Sequence, residues 1–305
     1  MTQQLGRVAA IGECMIEIAL ERDGRTATLG YGGDTLNCAV YLSRACEAAA
    51  SVSYVTALGT DPFSDEMVRR WERDGVGASL VARLPGSLPG LYVIRTDAAG
   101  ERSFYYWRQN AAARELLDDE RAGALEEALR DFALVYLSGI TVAILRPEAR
   151  ARLLGLLERL RGHGVRVAFD SNYRPQLWRD ADEARAATRQ FGALASVVLP
   201  SRTDEEQLFG DRGPRAIAAR WLDAGVEEVV VKDAGAPAWV ITPYDTEIVP
   251  AQPTDDIVDT TAAGDSFNGT YLAQRLLGHC LGDAAQAAHR VAARVIAHRG
   301  AVMPG

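Results

Sequence analysis

Short apolar runs alternate with longer amphipathic segments along most of the chain, and this alternation constrains the fold more than any other feature. Strand-like runs cover residues 8–11, 52–58, 134–137, 165–169, 196–199 and 228–231. Helical periodicity marks residues 35–47, 63–73, 147–161, 181–193 and 214–224 between them. Apolar strands that alternate with helices are typical of a parallel sheet covered on both faces. We therefore predict an α/β fold with a doubly wound, mostly parallel sheet flanked by helices.

Two segments depart from this alternation. Residues 90–95 and 103–108 are strand-like, and the turn sequence at 97–100 between them predicts a hairpin. Residues 15–29 alternate loosely around a polar turn at 22–24. Because a hairpin does not fit inside a parallel sheet, we expect a small antiparallel β lid formed by about residues 13–31 and 90–110. No long linker separates these segments, so residues 1–305 are predicted to form one domain.

The composition argues against several classes of protein. A net charge of −8 is unlike the basic face that nucleic-acid binding needs, and no run of apolar residues is long enough for a membrane span. The polar start of the chain predicts no secretory signal. The four cysteines have no CxxC spacing and are expected to be small buried side chains in a reducing compartment. We expect a cytoplasmic protein with small-molecule partners, and neither nucleic acid nor membrane among them.

The segment 259–269 is the most informative motif. Three small residues, Ala262, Ala263 and Gly264, precede Asp265, and a helical run follows over 267–277. Small residues let a ligand approach the backbone, and the first amides of a helix point outward without intrahelical partners. This pattern predicts a phosphoryl site in which Asp265 accepts the proton of an attacking hydroxyl. The helix dipole is expected to lower the pKa of Asp265, and its alternative role as a simple helix cap or first-turn acid stays open.

A second cluster, at 32–37, places two glycines directly before a helix. Gly32 and Gly33 free the backbone to contact a ligand, and Asp34 is expected to cap the helix. A turn with a capped helix accounts for these three residues. It does not account for Asn37, which we expect to face back toward the loop.

Two further clusters bring arginines to loops and to the lid. Arg174 follows the strand at 165–169, at the edge where ligands of open α/β sheets bind, and its guanidinium can bind a phosphate or carboxylate. Tyr106 and Arg108 share a face of the lid strand, so a ring and a cation project together. A surface arginine and a half-buried edge strand are the alternative interpretations.

These four clusters, in this order on an α/β frame, resemble the ribokinase-like (PfkB) carbohydrate kinases. Residues 259–265 match the second signature of that family, and residues 32–37 match the first. Residues 12–17, 54–61, 104–108, 136–140 and 172–178 are similar to the branch of the family that phosphorylates ketodeoxygluconate. The resemblance covers about residues 8–301. The P-loop, the dinucleotide fingerprint and the protein-kinase motifs are missing, so ATP would bind by this family's architecture.

The resemblance implies a ribokinase-like fold and the transfer of a phosphoryl group from ATP, with Mg²⁺, to the 6-hydroxyl of 2-keto-3-deoxygluconate. It implies Asp265 as the catalytic base, Ala262, Ala263 and Gly264 as the anion hole, and Arg174 as a further catalytic residue. The implied substrate-binding residues are Gly32, Gly33, Asp34, Asn37, Tyr92, Tyr106, Trp107, Arg108, Arg174 and Asp265. The implied ATP-binding residues are Asn172, Lys232, Asp233, Ala234 and Gly235, together with Ala262, Ala263 and Gly264.

Several questions stay open within the resemblance. It identifies no metal ligand and allows a monovalent cation. The alternatives are a fructokinase-like sugar kinase of the same family and a sugar-acid-binding protein without catalysis. An exposed lid edge predicts a homo-oligomer formed through the lid. The chain departs from the family pattern where it has Ala262 instead of glycine, and where the nucleotide turn reads Lys232-Asp233-Ala234 instead of Lys-x-Gly.

Overall fold

A computed structural model describes residues 6–21, 23–96, 102–117, 121–254 and 257–304. The strands are β1 (Arg7–Ile11), β2 (Met15–Leu20), β3 (Ala27–Gly32), β4 (Ser51–Val55), β5 (Ala57–Leu58), β6 (Val76–Gly77), β7 (Ala82–Arg83), β8 (Leu91–Thr96), β9 (Arg102–Trp107), β10 (Leu134–Ser138), β11 (Arg166–Asp170), β12 (Val197–Val198), β13 (Glu228–Val231), β14 (Ala238–Ile241) and β15 (Thr246–Val249). The helices are α1 (Asp34–Cys46), α2 (Pro62–Arg73), α3 (Arg121–Leu129), α4 (Gly139–Ile144), α5 (Pro147–Gly162), α6 (Ala181–Gly192), α7 (Arg202–Phe209), α8 (Pro214–Asp223), α9 (Ala263–Leu276) and α10 (Leu281–Ile296).

The main sheet has the strand order β15-β14-β13-β12-β11-β10-β1-β4-β6 in the described residues. The strands from β13 to β6 pair in parallel, and β14 and β15 add an antiparallel edge. All residues of β10 are buried, because helices cover both faces of the sheet. The predicted doubly wound, mostly parallel α/β fold is confirmed.

Helices α1, α9 and α10 pack together on one face of the sheet, and α5, α6 and α8 pack on the other. Gly269 on α9 has no room for a side chain, since a Cβ there would overlap the carbonyl oxygen of Cys38 on α1. This close approach brings the first turns of α1 and α9 together. The polar residues at both helix starts therefore face one another.

The lid is a second sheet with the order β3-β2-β8-β9. The two predicted segments do form it, but the prediction of a purely antiparallel lid is wrong. β3 pairs antiparallel with β2, and β8 with β9, whereas β2 and β8 run parallel at the centre. The chain passes through the elements from α1 to β7 between β2 and β8, and a long crossover of this kind permits parallel pairing. The predicted turn at 97–100 lies outside the described residues, as does Arg22 of the other turn.

The structure corrects three further expectations. Residues 52–58 are two strands in different sheets, because Thr56 ends the main-sheet pairing and its carbonyl binds the Ala82 amide at 2.9 Å. Asp34 does not cap α1, since Gly33 is the cap residue, makes no side-chain bond, and leaves Asp34 as the first helical residue. Cys280 is exposed at the start of α10, while the other three cysteines are buried; all four are free thiols. Within the described ranges, no helix is long and apolar enough to cross a bilayer.

Candidate active site

The small-residue turn before α9 lies open to a large cavity. Ala262 precedes the helix in the left-handed conformation, with φ 60° and ψ 15°, and makes no side-chain cap bond. Asp259 holds the approaching loop, because one of its oxygens accepts from the Thr261 amide at 3.0 Å and the other from the Gly300 amide at 2.8 Å. The helix begins at Ala263, earlier than predicted, so Asp265 is in the first turn and is not a cap. The first amides of α9 thus face the cavity that Ala262, Ala263 and Gly264 line.

Asp265 lies close to other carboxylates. Its Oδ2 accepts a hydrogen bond from Asn37 Nδ2 at 2.9 Å, which joins α9 to α1. Burial and the negative charge of Asp34 raise the pKa of Asp265 to about 7. The expected lowering by the helix dipole is therefore wrong, because desolvation and like charge outweigh it. A carboxyl group with this pKa is suited to exchange protons near neutral pH.

A half-buried lysine lies between the turn and the end of β11. Lys232 Nζ donates to Asp170 Oδ2 at 2.7 Å and to Asn268 Oδ1 at 2.9 Å. Asn268 Nδ2 also donates to Asp170, at 2.6 Å. A Cβ added to Gly264 would lie 3.7 Å from Lys232 Nζ, so the ammonium group lies beside the small-residue turn. Sequence reasoning missed Asp170 and Asn268 as functional residues, because their roles depend on a helix 98 positions further along the chain.

Asn172, an expected ATP-binding residue, lines the cavity and contacts Asp34 of the expected substrate-binding set. Its Nδ2 donates to Asp34 Oδ2 at 2.7 Å, and its own backbone is left-handed with φ 33°. Asp170 Oδ1 accepts the Asn172 amide at 3.1 Å, which stabilises this turn after β11. The loops that follow β3 and β11 are thereby joined across the cavity.

The lid contributes an aromatic wall. The rings of Tyr92, Phe104 and Tyr106 pack as a three-membered cluster, with each pair of ring centroids 5.8–6.5 Å apart. The Tyr92 hydroxyl donates to Glu17, and a Cβ at Gly32 would come within 2.6 Å of that hydroxyl oxygen. Glycine at position 32 is therefore required by a side chain of the lid. Trp107 also lines the cavity and is more than half exposed.

Arg108 and Glu13 form a buried ion pair where the lid meets the main sheet. Burial raises the pKa of Glu13, and the Arg108 charge opposes that rise. Gly33 lies against the Glu13 backbone, where a Cβ would overlap the carbonyl oxygen. Glu13 was missed by sequence reasoning, which paired Arg108 only with Tyr106. That contact exists as well, with the guanidinium carbon 5.9 Å from the ring centroid.

Arg174 is the more open cation of the cavity. Its side chain is 43% exposed and reaches Asp204 Oδ2 at 3.4 Å. Burial raises the pKa of Asp204, while the Arg174 charge lowers it. Arg174 has donors left for an anion, because among the described residues its side chain makes only the long Asp204 contact and a bond to the Tyr173 carbonyl at 2.8 Å, both from Nη1.

Most of these groups line one cavity of about 1320 Å³, whereas Glu17, Asp259 and Asn268 lie behind its wall and hold lining residues or loops in place. The expected ATP-binding residues Lys232, Asp233 and Ala234 line the cavity, and Gly235 follows directly in the chain. His289 and Ala292 of α10 also line it and were not predicted. His289 packs edge-on against Phe267 with ring centroids 5.0 Å apart, and burial lowers its pKa.

Comparisons with known proteins agree with this geometry. The profile of the pfkB family carbohydrate kinases matches residues 6–304. The chain belongs to the pfkB family of carbohydrate kinases. It is 47% identical over 302 residues to the 2-dehydro-3-deoxygluconokinase of Dickeya dadantii, covering 97% of this chain and 96% of that protein. It is 45% identical over 303 residues to the enzyme of the same name from Escherichia coli K12, covering 98% and 97%.

A solved structure supports the fold of this pfkB kinase. The 2-dehydro-3-deoxygluconokinase of Thermotoga maritima superimposes with a TM-score of 0.86 at 22% identity, covering 99% of this chain and 96% of that one. The family membership confirms the resemblance drawn from the two signature segments. It also makes this kinase a transferase that uses a nucleotide donor and a carbohydrate acceptor.

A divalent metal ion at this site would need oxygen ligands from the cavity wall. In the part of the chain that the structure covers, no group of three or more His, Cys, Asp or Glu side chains could hold a metal ion. Magnesium keeps several waters and is commonly held by one or two carboxylates together with substrate phosphates. Asp204, a carboxylate in the cavity wall, fits that requirement for this pfkB kinase.

Proposed function

We propose that the protein transfers the γ-phosphoryl group of ATP to the 6-hydroxyl of 2-keto-3-deoxygluconate, giving the 6-phosphate and ADP. The observation that carries the proposal is full-length identity of 45–47% to proteins named for this activity. The site gives chemical support. Arg108 and Arg174 line the end of the cavity beside the lid, where a neutral sugar would need no cation but a carboxylate would.

Asp265 orients the acceptor hydroxyl and takes its proton as the new O–P bond forms. The bond between the γ-phosphorus and its bridging oxygen breaks, and ADP leaves with that oxygen. Because the pKa of Asp265 is about 7, a substantial fraction is ionised at neutral pH and the proton passes readily to solvent afterwards. The amides of the Ala263–Gly264 turn and the Lys232 ammonium group face the transferred charge.

The sugar acid lies between the lid and the loops after β3 and β11. Gly32, Gly33, Asp34, Asn37, Tyr92, Tyr106 and Trp107 surround it in this proposal. Arg108 has its charge balanced by Glu13, so it contributes directed hydrogen bonds, whereas Arg174 contributes the open positive charge. Asp204 would hold Mg²⁺, which would neutralise phosphate charge when bound.

The lid also supports a homo-oligomer. Leu29, Phe104, Tyr105 and Trp107 are large apolar side chains on its strands and are 41–58% exposed. β3 and β9 are the free edges of this sheet, and an uncovered edge invites pairing with a second copy. Sedimentation velocity should give a species larger than one chain; a clean monomer at assay concentration would exclude the lid interface.

The four free thiols support a reducing, cytoplasmic compartment.

The activity is tested by ADP release over a panel of sugar acids and neutral sugars, including 2-keto-3-deoxygluconate and fructose. The expected result is a kcat/KM for the keto-acid far above that for fructose. Equal values would remove the acid-specific proposal and favour a fructokinase-like enzyme. Sugar-acid binding without ADP release would indicate a protein that has lost catalysis.

A further inference from the structure

The nucleotide turn carries an acid where a polyanion is expected to bind. Asp233 follows Lys232 and lines the cavity together with Ala234. A carboxylate at this place repels phosphates unless its charge is balanced. The proposed use of ATP, on which this inference rests, therefore requires a partner for Asp233.

Arg202 supplies that partner. Its Nη1 binds Asp233 Oδ2 at 3.0 Å, and its Nε binds Glu206 Oε1 at 2.6 Å, so the guanidinium group is held from two sides. The Asp233 side chain is 23% exposed and that of Arg202 is 41% exposed. Ser201 and Thr203 line the cavity, while Arg202 between them does not. Arg202 thus draws the Asp233 carboxylate toward the outer side of the wall.

The backbone fixes this arrangement. The Arg202 amide donates to the Lys232 carbonyl at 2.8 Å, and the Lys232 amide donates to the Pro200 carbonyl at 2.9 Å. Glu206 Oε1 also accepts the Gly213 amide at 3.2 Å, which anchors the far side of the arginine. The start of α7 and the nucleotide turn are consequently one unit, and the ion pair is part of it.

We propose that Arg202 is a positioning residue for the nucleotide, because its ion pair with Asp233 removes a repulsive charge from the triphosphate site. One unpaired charge several ångströms from a polyanion should weaken ATP binding by about fivefold to tenfold. The effect should decrease at high ionic strength, since the wall is partly exposed. If Arg202 had only a structural role, the loss of ATP affinity in Arg202→Ala would not depend on salt, and neutralising Asp233 would not restore that affinity.

The experiment measures the Kd for ATP by calorimetry and the KM for ATP, in the full-length protein, for Arg202→Ala, Asp233→Asn and the double variant. Arg202→Ala should raise both constants about fivefold to tenfold with a smaller change in kcat. The Kd and KM for ATP of the double variant should lie within about twofold of those of Asp233→Asn alone, because two directly paired charges are energetically coupled. Arg69→Ala is the matched control, because Arg69 pairs with Glu66 at 3.0 Å on α2, which contributes nothing to the cavity in the described chain.

The outcomes are distinguishable. If wild-type protein does not bind ATP, the proposed function fails. If wild-type protein binds ATP and Arg202→Ala binds it equally well, this inference fails while the proposed function stands. A double variant as weak as Arg202→Ala, or a loss that is the same at low and high salt, would also overturn the role of charge.

Discussion

The hydrogen bond between Asn37 and Asp265 gives the sharpest test of the proposed base. Asn37 Nδ2 lies 2.9 Å from Asp265 Oδ2 and stabilises the ionised carboxylate. Hydrogen bonds to charged groups contribute about 1.5–3 kcal/mol, and about 1.4 kcal/mol corresponds to one pH unit in a pKa. Removing the donor by Asn37→Ala should therefore raise the pKa of Asp265 from about 7 to about 8 or above.

The consequence is a loss of activity that depends on pH. For a variant pKa of about 8, the ionised fraction at pH 6 should fall from about 9% to about 1%, a tenfold loss, while at pH 9 both proteins should be about 90% ionised or more; a larger shift would deepen the loss at pH 6 and move recovery to higher pH. The assay is kcat/KM for the sugar acid at saturating ATP from pH 5.5 to 9.5, which reports the ionisation of the essential base. If Asn37→Ala only removed contacts to the sugar acid, kcat/KM would fall by the same factor at every pH, and the pH at which activity is lost on the acidic side would not move.

Asp34→Asn is the matched variant with the opposite sign. The Asp34 charge raises the pKa of Asp265, so its removal should move the acidic limb to lower pH. Asn172 can still donate to the amide oxygen of the new side chain. An acidic limb that stays fixed in both variants, or that moves in the same direction in both, would refute Asp265 as the group that titrates.

Three other changes test separate parts of the structure. Asp265→Asn should reduce kcat by about 10²–10⁴-fold while the KM for the sugar acid changes little, and near-normal turnover would place the base elsewhere. The pKa of Asp265 is 3.8 in the unfolded chain and about 7 in the folded protein, so the free energy of unfolding of the wild type falls as pH rises from about 4 to about 7. Asp265→Asn removes this loss. Urea unfolding should therefore show Asp265→Asn to be more stable than the wild type at pH 8, and equally stable near pH 4. Ala262→Gly should increase the free energy of unfolding by about 0.5–1 kcal/mol, since glycine relieves the left-handed strain at φ 60° but adds chain entropy; a decrease would mean that the turn carries no strain. Arg108→Ala, made together with Glu13→Gln so that no buried charge is left alone, should raise the KM for the sugar acid about tenfold more than that for a neutral sugar, whereas equal losses would indicate a structural role.

The sheet and the lid segments could be predicted because their signals are local. The run at 134–137 is apolar throughout, and in the structure β10 is buried on both faces. The direction of β2 against β8 could not be predicted, since nothing in either strand records a pairing across the elements that separate them. The start of α1 could not be predicted to the residue either. Whether Gly33 or Asp34 is the cap depends on the backbone angles at Gly33, which residue types alone do not fix.

By itself, the amino-acid sequence determined the α/β frame, the small-residue turn before Asp265 and the arginines that point to an anionic substrate, because periodicity and motif chemistry are properties of neighbouring residues. The tertiary structure decided the electrostatics. Burial beside Asp34 reverses the expected pKa direction of Asp265, Glu13 balances Arg108, and Arg202 balances Asp233. Charges act through space and through the local dielectric, so only the folded arrangement of distant segments sets their sum.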